Sequence, residues 1–376
     1  MVVAAGGVAV SRCSSWSEVP PSAVVAWRTS TGEQEIRRYA LAHALLAPNP
    51  HNMQPWLADL RRDGEILLRL DPSRLLPATD PFGRQILMGA GAFLEILRMA
   101  AAERGHRADC EVFPEGEPGD HLDGRPFCRV RIAPDPRTPR DPLFAHVLLR
   151  RTDRRAYDPS QALTIADAAE LRLALGELPV RIGVATNAAR VAPIREITRE
   201  AWRIEVTTPS AMLESMRVLR VGNREIDAHR DGLTITSPMM VLANRLGLLD
   251  RSQCPPPDSR ITRGLIDEFD VLAASTPAYV SLVTEGNRRN QQLDAGRAYV
   301  RVNLAAAGAG LAMHPNEQAL QEYPQMAKPY QAIHTLLDAP SPRCTVQMLA
   351  RVGRLPAGEA AAPPAPRRGL AAHLEG

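Results

Sequence analysis

Two stretches, residues 83–105 and 294–311, constrain the fold more than anything else in the chain. They read GRQILMGAGAFLEILRMAAAERG and DAGRAYVRVNLAAAGAGL. Each carries small residues near its start, alanine-rich turns and a glycine near its end. In the first, Leu87, Gly91, Leu94 and Leu97 fall about one helical turn apart. The small residues at 89–92 let a neighbouring backbone come close. A helix of this kind repeated about two hundred residues later predicts two α+β halves, duplicated and fused, packed as an internal pseudo-dimer.

The rest of the periodicity fits such halves. A helical pattern covers 35–46, a strand covers 65–70 after the Asp63-Gly64 turn, and strands are expected at 108–113 and 127–132. A linker composition, RTPRDP, falls at 137–142. Beyond it the pattern predicts a helix near 165–176, a strand near 179–185, helices over about 190–220, a strand at 279–285, a helix at 291–310 and a last strand at 344–350. The division expected is an N-terminal extension over 1–34, a first half over 35–140 and a second half over 141–370. Residues 222–262, rich in Met, Pro and Gly, read as a long irregular lid-like insertion.

Composition excludes several classes. With 376 residues, 45% of them hydrophobic, the chain can bury a large core. A net charge of +3 argues for no nucleic-acid and no membrane partner. The five cysteines are scattered without CxxC spacing, so no metal site and no disulfide framework is predicted. No GxSxG, HExxH or informative Cys–His spacing occurs. The first ten residues are apolar but lack a preceding positive charge. A cytoplasmic placement is therefore the expectation, with a remnant export signal left open if the true start lies upstream.

Three polar clusters remain. Residues 47–57, APNPHNMQPWL, combine prolines, amides, a histidine and a tryptophan between a helix and a strand. That mixture suits a rigid wall around something polar and flat. Residues 150–157 read RRTDRRAY. Guanidinium forks match phosphate oxygens, and the Thr152 hydroxyl adds a donor. A solvated helix start with surface ion pairs accounts for the same residues equally well. The third cluster is Pro366-Arg367-Arg368 in a proline-rich tail, placed to close on the same anion.

The pair of motifs resembles the FMN-dependent nitroreductase-like superfamily, and within it the Acg-like fused, double-length branch. RRTDRRAY is similar to the family's phosphate-gripping RRSxRxF stretch, with Thr152 for Ser and Tyr157 one place beyond the family's Phe. PNPHNMQPW at 48–56 is similar to the family's PSSxNxQPW stretch. The late helix and its Gly-Leu turn, and the terminal Arg367-Arg368, resemble family features too. The resemblance implies a duplicated nitroreductase-like α+β fold, each half a mainly antiparallel sheet flanked by helices, with long helices at the seam.

It also implies an FMN site built from Asn49, His51, Asn52 and Gln54 of the first half with Arg150, Arg151, Thr152, Arg154, Arg155, Arg367 and Arg368 of the second. No catalytic side chain is assigned, because the flavin carries the chemistry. The first half has no arginine cluster near 27–33. The second half has no NxQPW stretch, and HRDGLTITSPMM at 229–240 is where one is sought. One complete and one degenerate flavin site per chain are therefore expected.

The implied activity is reduction of a small-molecule electron acceptor, nitroaromatic, quinone or similar, by NADH or NADPH. The alternatives are a flavin-sequestering storage or stress protein with occluded FMN, and a metal-free dehalogenating or ring-modifying enzyme. A fused pseudo-dimer is expected as a monomer, with a homodimer as the other state.

Overall fold

The computed structural model describes residues 19–375. The export-signal reading of the first dozen residues lies outside the described residues, as does Cys13. Residues after Pro20 already fold: α1 (Ala26–Thr29) buries Trp27 against the first half.

The first half runs α2 (Ile36–Ala44), β1 (Trp56–Asp59), β2 (Glu65–Leu70), α3 (Arg84–Glu103), β3 (His106–Val112) and β4 (Cys128–Pro134). The second opens with α4 (Ile165–Leu173) and β5 (Arg181–Ala185). An insertion follows: α5 (Ala188–Thr207), α6 (Pro209–Arg217), β6 (Leu219–Val221), α7 (Gly222–His229), β7 (Leu233–Ile235), α8 (Pro238–Arg245) and α9 (Arg260–Ala274). The half then resumes with β8 (Ala278–Glu285), α10 (Arg289–Gly308), β9 (Ala312–Pro315), α11 (Ala327–Leu336) and β10 (Cys344–Gly353), and β11 (Leu374–Glu375) is the last element among the described residues.

The duplication is visible in the strand orders. One sheet runs β1-β2-β4-β3 and the other β5-β8-β10-β9, with antiparallel pairing throughout both series. Taken in chain order, each half supplies its first strand at one edge, its second beside it, and its fourth before its third. The long helices α3 and α10, twenty residues each, take the same place between second and third strands. The tail breaks the symmetry: β11 crosses from the second half and adds in parallel to β1.

Local chemistry sets these elements. β2 alternates outward and inward, burying Ile66, Leu68 and Leu70. α3 begins after Gly83, whose φ of 69° favours a residue without Cβ, and the Asp80 carboxylate accepts from the amides of Gln85 and Ile86. α3 is apolar on nearly every face because helices and a sheet surround it.

Residues 222–262 differ from the irregular lid expected. They contain α7, β7, α8 and the start of α9. The insertion is also wider: everything between Ala185 and Ala278 stands where the first half has only the short β1–β2 turn. Its helices α5 and α9 pack on each other and look, in sequence, like ordinary parts of the half.

Candidate functional site

The loop after α2 carries unusual backbone. His51, Asn52 and Gln54 have φ of 48°, 54° and 50°. Non-glycine residues in this left-handed region cost on the order of 1–3 kcal/mol each, and they persist only where the surroundings hold them. Here the loop is tied down from several directions. Asn49 Oδ1 accepts from the Gln54 amide at 2.8 Å. Asn52 Nδ2 donates to Pro366 O, and Asn52 Oδ1 accepts from Arg367 Nη1 at 2.6 Å.

Gln54 is fully buried. It donates to Arg230 O at 2.9 Å and accepts from the Arg368 amide at 2.9 Å. The Gly232 amide donates to Asn52 O, and His51 Nε2 lies 2.9 Å from Ser215 Oγ. The tail and the insertion thus meet on this loop. Trp56 is buried against Phe93, with ring centroids 4.8 Å apart, and anchors the loop to α3.

The arginines divide into two kinds. Arg155 is taken up by Asp153 at 2.6 Å and Glu359 at 3.1 Å. Arg150, Arg151, Arg154, Arg367 and Arg368 have no ion pair among the described residues. Arg150 donates to Leu46 O at 2.9 Å and to Asn303 Oδ1 at 3.3 Å. Arg367 donates to Leu45 O, Leu46 O and Ala47 O, the free carbonyls beyond α2. Arg151 donates to Leu148 O and Arg150 O, and Arg368 to Gln54 O.

Trp27 gathers three of these cations. The guanidinium carbons of Arg151, Arg367 and Arg150 lie 4.9, 5.5 and 5.6 Å from its ring. Sequence reasoning missed this role, since a lone tryptophan far from the arginines in the chain gives no signal of it. Burial, with Arg151 adding repulsion, pushes Arg150 down to about 10. Burial also carries Arg367 well below its usual range, and Arg150 and Arg151 carry it further.

Arg154 differs again: its guanidinium has no hydrogen-bond partner among the described residues. It is solvent-accessible by surface area, yet desolvation lowers its pKa. Both hold if it stands in a recess. Two histidines feel its charge. Burial, then Arg154, pushes His51 down to about 4. Burial, then Arg351 and Arg154, takes His314 well below its ordinary value. Both imidazoles are neutral at pH 7. Thr152 is half-buried, and its hydroxyl too has no partner among the described residues.

The pseudo-symmetric position differs in charge. The connection from α4 to β5 is ALGELPV at 174–180, so HRDGLTITSPMM belongs to the insertion and not to the equivalent of the amide loop. Arg301 donates to Ala174 O there, much as Arg150 and Arg367 donate beyond α2. A groove of about 370 Å³ opens beside it, lined by Arg98, Arg301, Asp141 and Glu170 among others. Its arginines are neutralised. Arg301 pairs with Glu95 at 2.8 Å and Asp141 at 2.6 Å, and Arg98 pairs with Glu95 at 2.8 Å. The buried arginines of this groove thus have carboxylate partners, whereas those around Trp27 have none among the described residues.

The chain is homologous over most of its length to two Mycobacterium tuberculosis H37Rv proteins provisionally named NAD(P)H nitroreductases. It is 28% identical to acg over 349 residues, covering 89% of this chain and 93% of that one. It is 29% identical to Rv3131 over 361 residues, covering 93% and 94%. A shorter match, 34% over 124 residues, joins it to the uncharacterized protein Rv3127 of the same strain, covering 32% and 35%. No family model matches the chain. Among solved structures, the FMN-dependent nitroreductase NfnB from Mycobacterium smegmatis aligns with a TM-score of 0.36 at 18% identity, covering 59% and 92%, a likeness too loose to carry an argument.

Proposed function

We propose that this chain, a homologue of the Acg-like NAD(P)H nitroreductases, is a flavin oxidoreductase holding one FMN between its halves. In this reading NADH or NADPH supplies the electrons, and a nitroaromatic, quinone or similar small molecule receives them. The observation that carries the reading is the set of arginines around Trp27 and His51 with no carboxylate partner. Buried cations without counter-ions are costly, and a phosphate dianion supplies what this protein lacks there. Arg154 and the Thr152 hydroxyl are the donors left free for it.

The remaining groups fit a flavin as walls. Arg150, Arg151 and Arg367 lend positive potential while their hydrogen bonds fix backbone carbonyls. His51 and His314, both neutral, offer ring nitrogens without adding charge. The amides of Asn52 and Gln54 are occupied by protein partners, so they shape the loop. Bound FMN supplies hydride and electron transfer, chemistry that no side chain here provides. The neutralised arginines of the opposite groove support a single site per chain.

The test is the visible spectrum of the purified protein with released flavin counted per chain, followed by anaerobic NADH and NADPH. One FMN per chain, bleached by nicotinamide, is the expected result. A colourless protein that takes up no added FMN overturns it. A second reading, flavin sequestration with little turnover, is favoured by the insertion's hydrogen bonds onto the loop at Asn52 and Gln54. It predicts bound FMN that dithionite reduces and neither nicotinamide does.

A further inference from the structure

The first sheet carries a second chemical feature, remote from the arginine recess. Cys110 lies on β3 opposite Val130, and Cys128 lies on β4 opposite Val112. The two cysteines are therefore diagonal neighbours on one face of an antiparallel pair. That register sets their side chains on the same face, two residues apart along each strand. Cys110 is exposed and Cys128 is fully buried. β3 is the outer strand of its sheet, so it can shift toward β4 without breaking a second ladder.

The surroundings favour a thiolate at the exposed member. The Cys128 thiol, donating to it, lowers the Cys110 pKa, and Arg297 and Arg98 lower it further against the opposing effects of burial and Glu95. Those arginines are held in place by Glu95, at 3.0 and 2.8 Å. Cys128 is pushed the other way, first by its hydrogen bond to Cys110 and then by burial. The exposed Cys110 is the thiol open to a peroxide in solvent and the buried Cys128 is its neighbour on the sheet, the division of labour of a peroxidatic and a resolving cysteine.

We infer that Cys110 and Cys128 form a reversible dithiol–disulfide site that reacts with hydroperoxides. The Cys110 thiolate attacks a peroxide oxygen, the O–O bond breaks, and Cys110 sulfenic acid and hydroxide result. The Cys128 sulfur then attacks the sulfenic sulfur. The S–O bond breaks, the S–S bond forms, and the departing hydroxide leaves as water with the Cys128 proton. Overall two thiols and one hydrogen peroxide give one disulfide and two waters, and an external dithiol reverses the change.

The test uses the full chain, reduced, desalted and treated with equimolar hydrogen peroxide, then alkylated with N-ethylmaleimide. Two of the five thiols should be lost and recovered with dithiothreitol. Glu-C cleaves at Glu111, Glu115 and Glu117, between the two cysteines, and should release a linked pair of peptides. Cys110→Ser, at an exposed position, should keep all its remaining thiols through the same treatment. Cys128→Ala should accumulate a dimedone adduct on Cys110. Peroxide that leaves every thiol alkylatable, or that spreads oxidation evenly over Cys254 and Cys344, overturns the proposal. So does Cys110 sulfinic acid in the wild type without the linked peptides.

Discussion

Gly91 and Gly296 occupy the same position in α3 and α10, and each lies against the carbonyl of the residue three before the other. A Cβ on Gly91 would collide with Leu293 O, and one on Gly296 would collide with Met88 O. The contact is reciprocal, as at a two-fold axis between identical subunits. It is the seam on which the halves close. Alanine at either position forces the helices apart, with a stability loss of roughly 1–3 kcal/mol or more. Because one separation relieves both collisions, the double variant should cost clearly less than the sum. Urea melts of the two single variants and the double variant check this. Full additivity would mean that the two contacts relax separately.

Arg154 and Arg367 should behave differently on truncation. Arg367 holds three carbonyls and Asn52 Oδ1 in the interior. Arg367→Ala should lower stability by about 2–4 kcal/mol, since it removes a charged donor from four buried acceptors, of which Leu46 O, Ala47 O and Asn52 Oδ1 keep a second donor. Arg154 makes no such bonds, so Arg154→Ala should leave stability within about 0.5 kcal/mol of wild type. It should still weaken FMN retention at least tenfold if it meets the phosphate. Thermal melts beside flavin titrations separate the two outcomes. Wild-type FMN affinity in Arg154→Ala would remove that residue from the phosphate site.

The sequence revealed the framework better than the fixings. β2 stood out because its burial alternates over the whole element, and α3 because its apolar run is long and places Leu87, Gly91, Leu94 and Leu97 about one turn apart. β1 was hidden because four residues, Trp56 to Asp59, are too few to show alternation. β11 has two residues and exists only by pairing with β1. The insertion was misjudged because its helices satisfy the same local rules as those of the half around it.

At the candidate site, the composition of 47–57 and the two arginine-rich stretches marked segments that the structure brings together, Arg367 bonding Asn52 and Arg150 the carbonyl of Leu46. That Arg367 would meet carbonyls beyond α2, more than three hundred residues earlier, depends on the tail's crossing. The left-handed φ of His51 and Gln54 could not be read either. Glutamine is not among the types enriched there, and the enrichment of histidine is too small to single out one position.

Trp27 offers a test of the arginine cluster itself. Its ring serves three guanidinium groups, and its Nε1 donates to Ala365 O at 2.8 Å. Trp27→Phe keeps an aromatic face and loses the N–H bond and part of the ring's volume, at a cost of about 1–2 kcal/mol. Trp27→Leu loses the face as well, and should cost about 2–4 kcal/mol through packing and cation–π contacts. Equal losses in calorimetry would show that the face does nothing for the cations.

Glu205 should make stability depend on pH in a way one variant can isolate. It is buried on α5, and Gln321 Nε2 donates to it at 2.9 Å. Burial pushes its carboxyl up to about 7 from an ordinary value of 4.5, with Glu214 nearby adding to the rise and amide hydrogen bonds opposing it. The folded state therefore holds this proton more tightly than the unfolded chain. The stabilisation is complete below the unfolded value and is lost as pH rises through about 7. Buried histidines work the other way: His51, down to about 4, and His373, down to about 3, destabilise the fold as pH falls below 6.5. Glu205→Gln cancels that background, because both proteins share it. The variant should match wild type near about pH 4 and exceed it near about pH 8, by up to roughly 3 kcal/mol. Denaturant melts of both proteins at the two pH values measure the gap. A gap that stays constant would mean that Glu205 keeps the same charge when the chain unfolds.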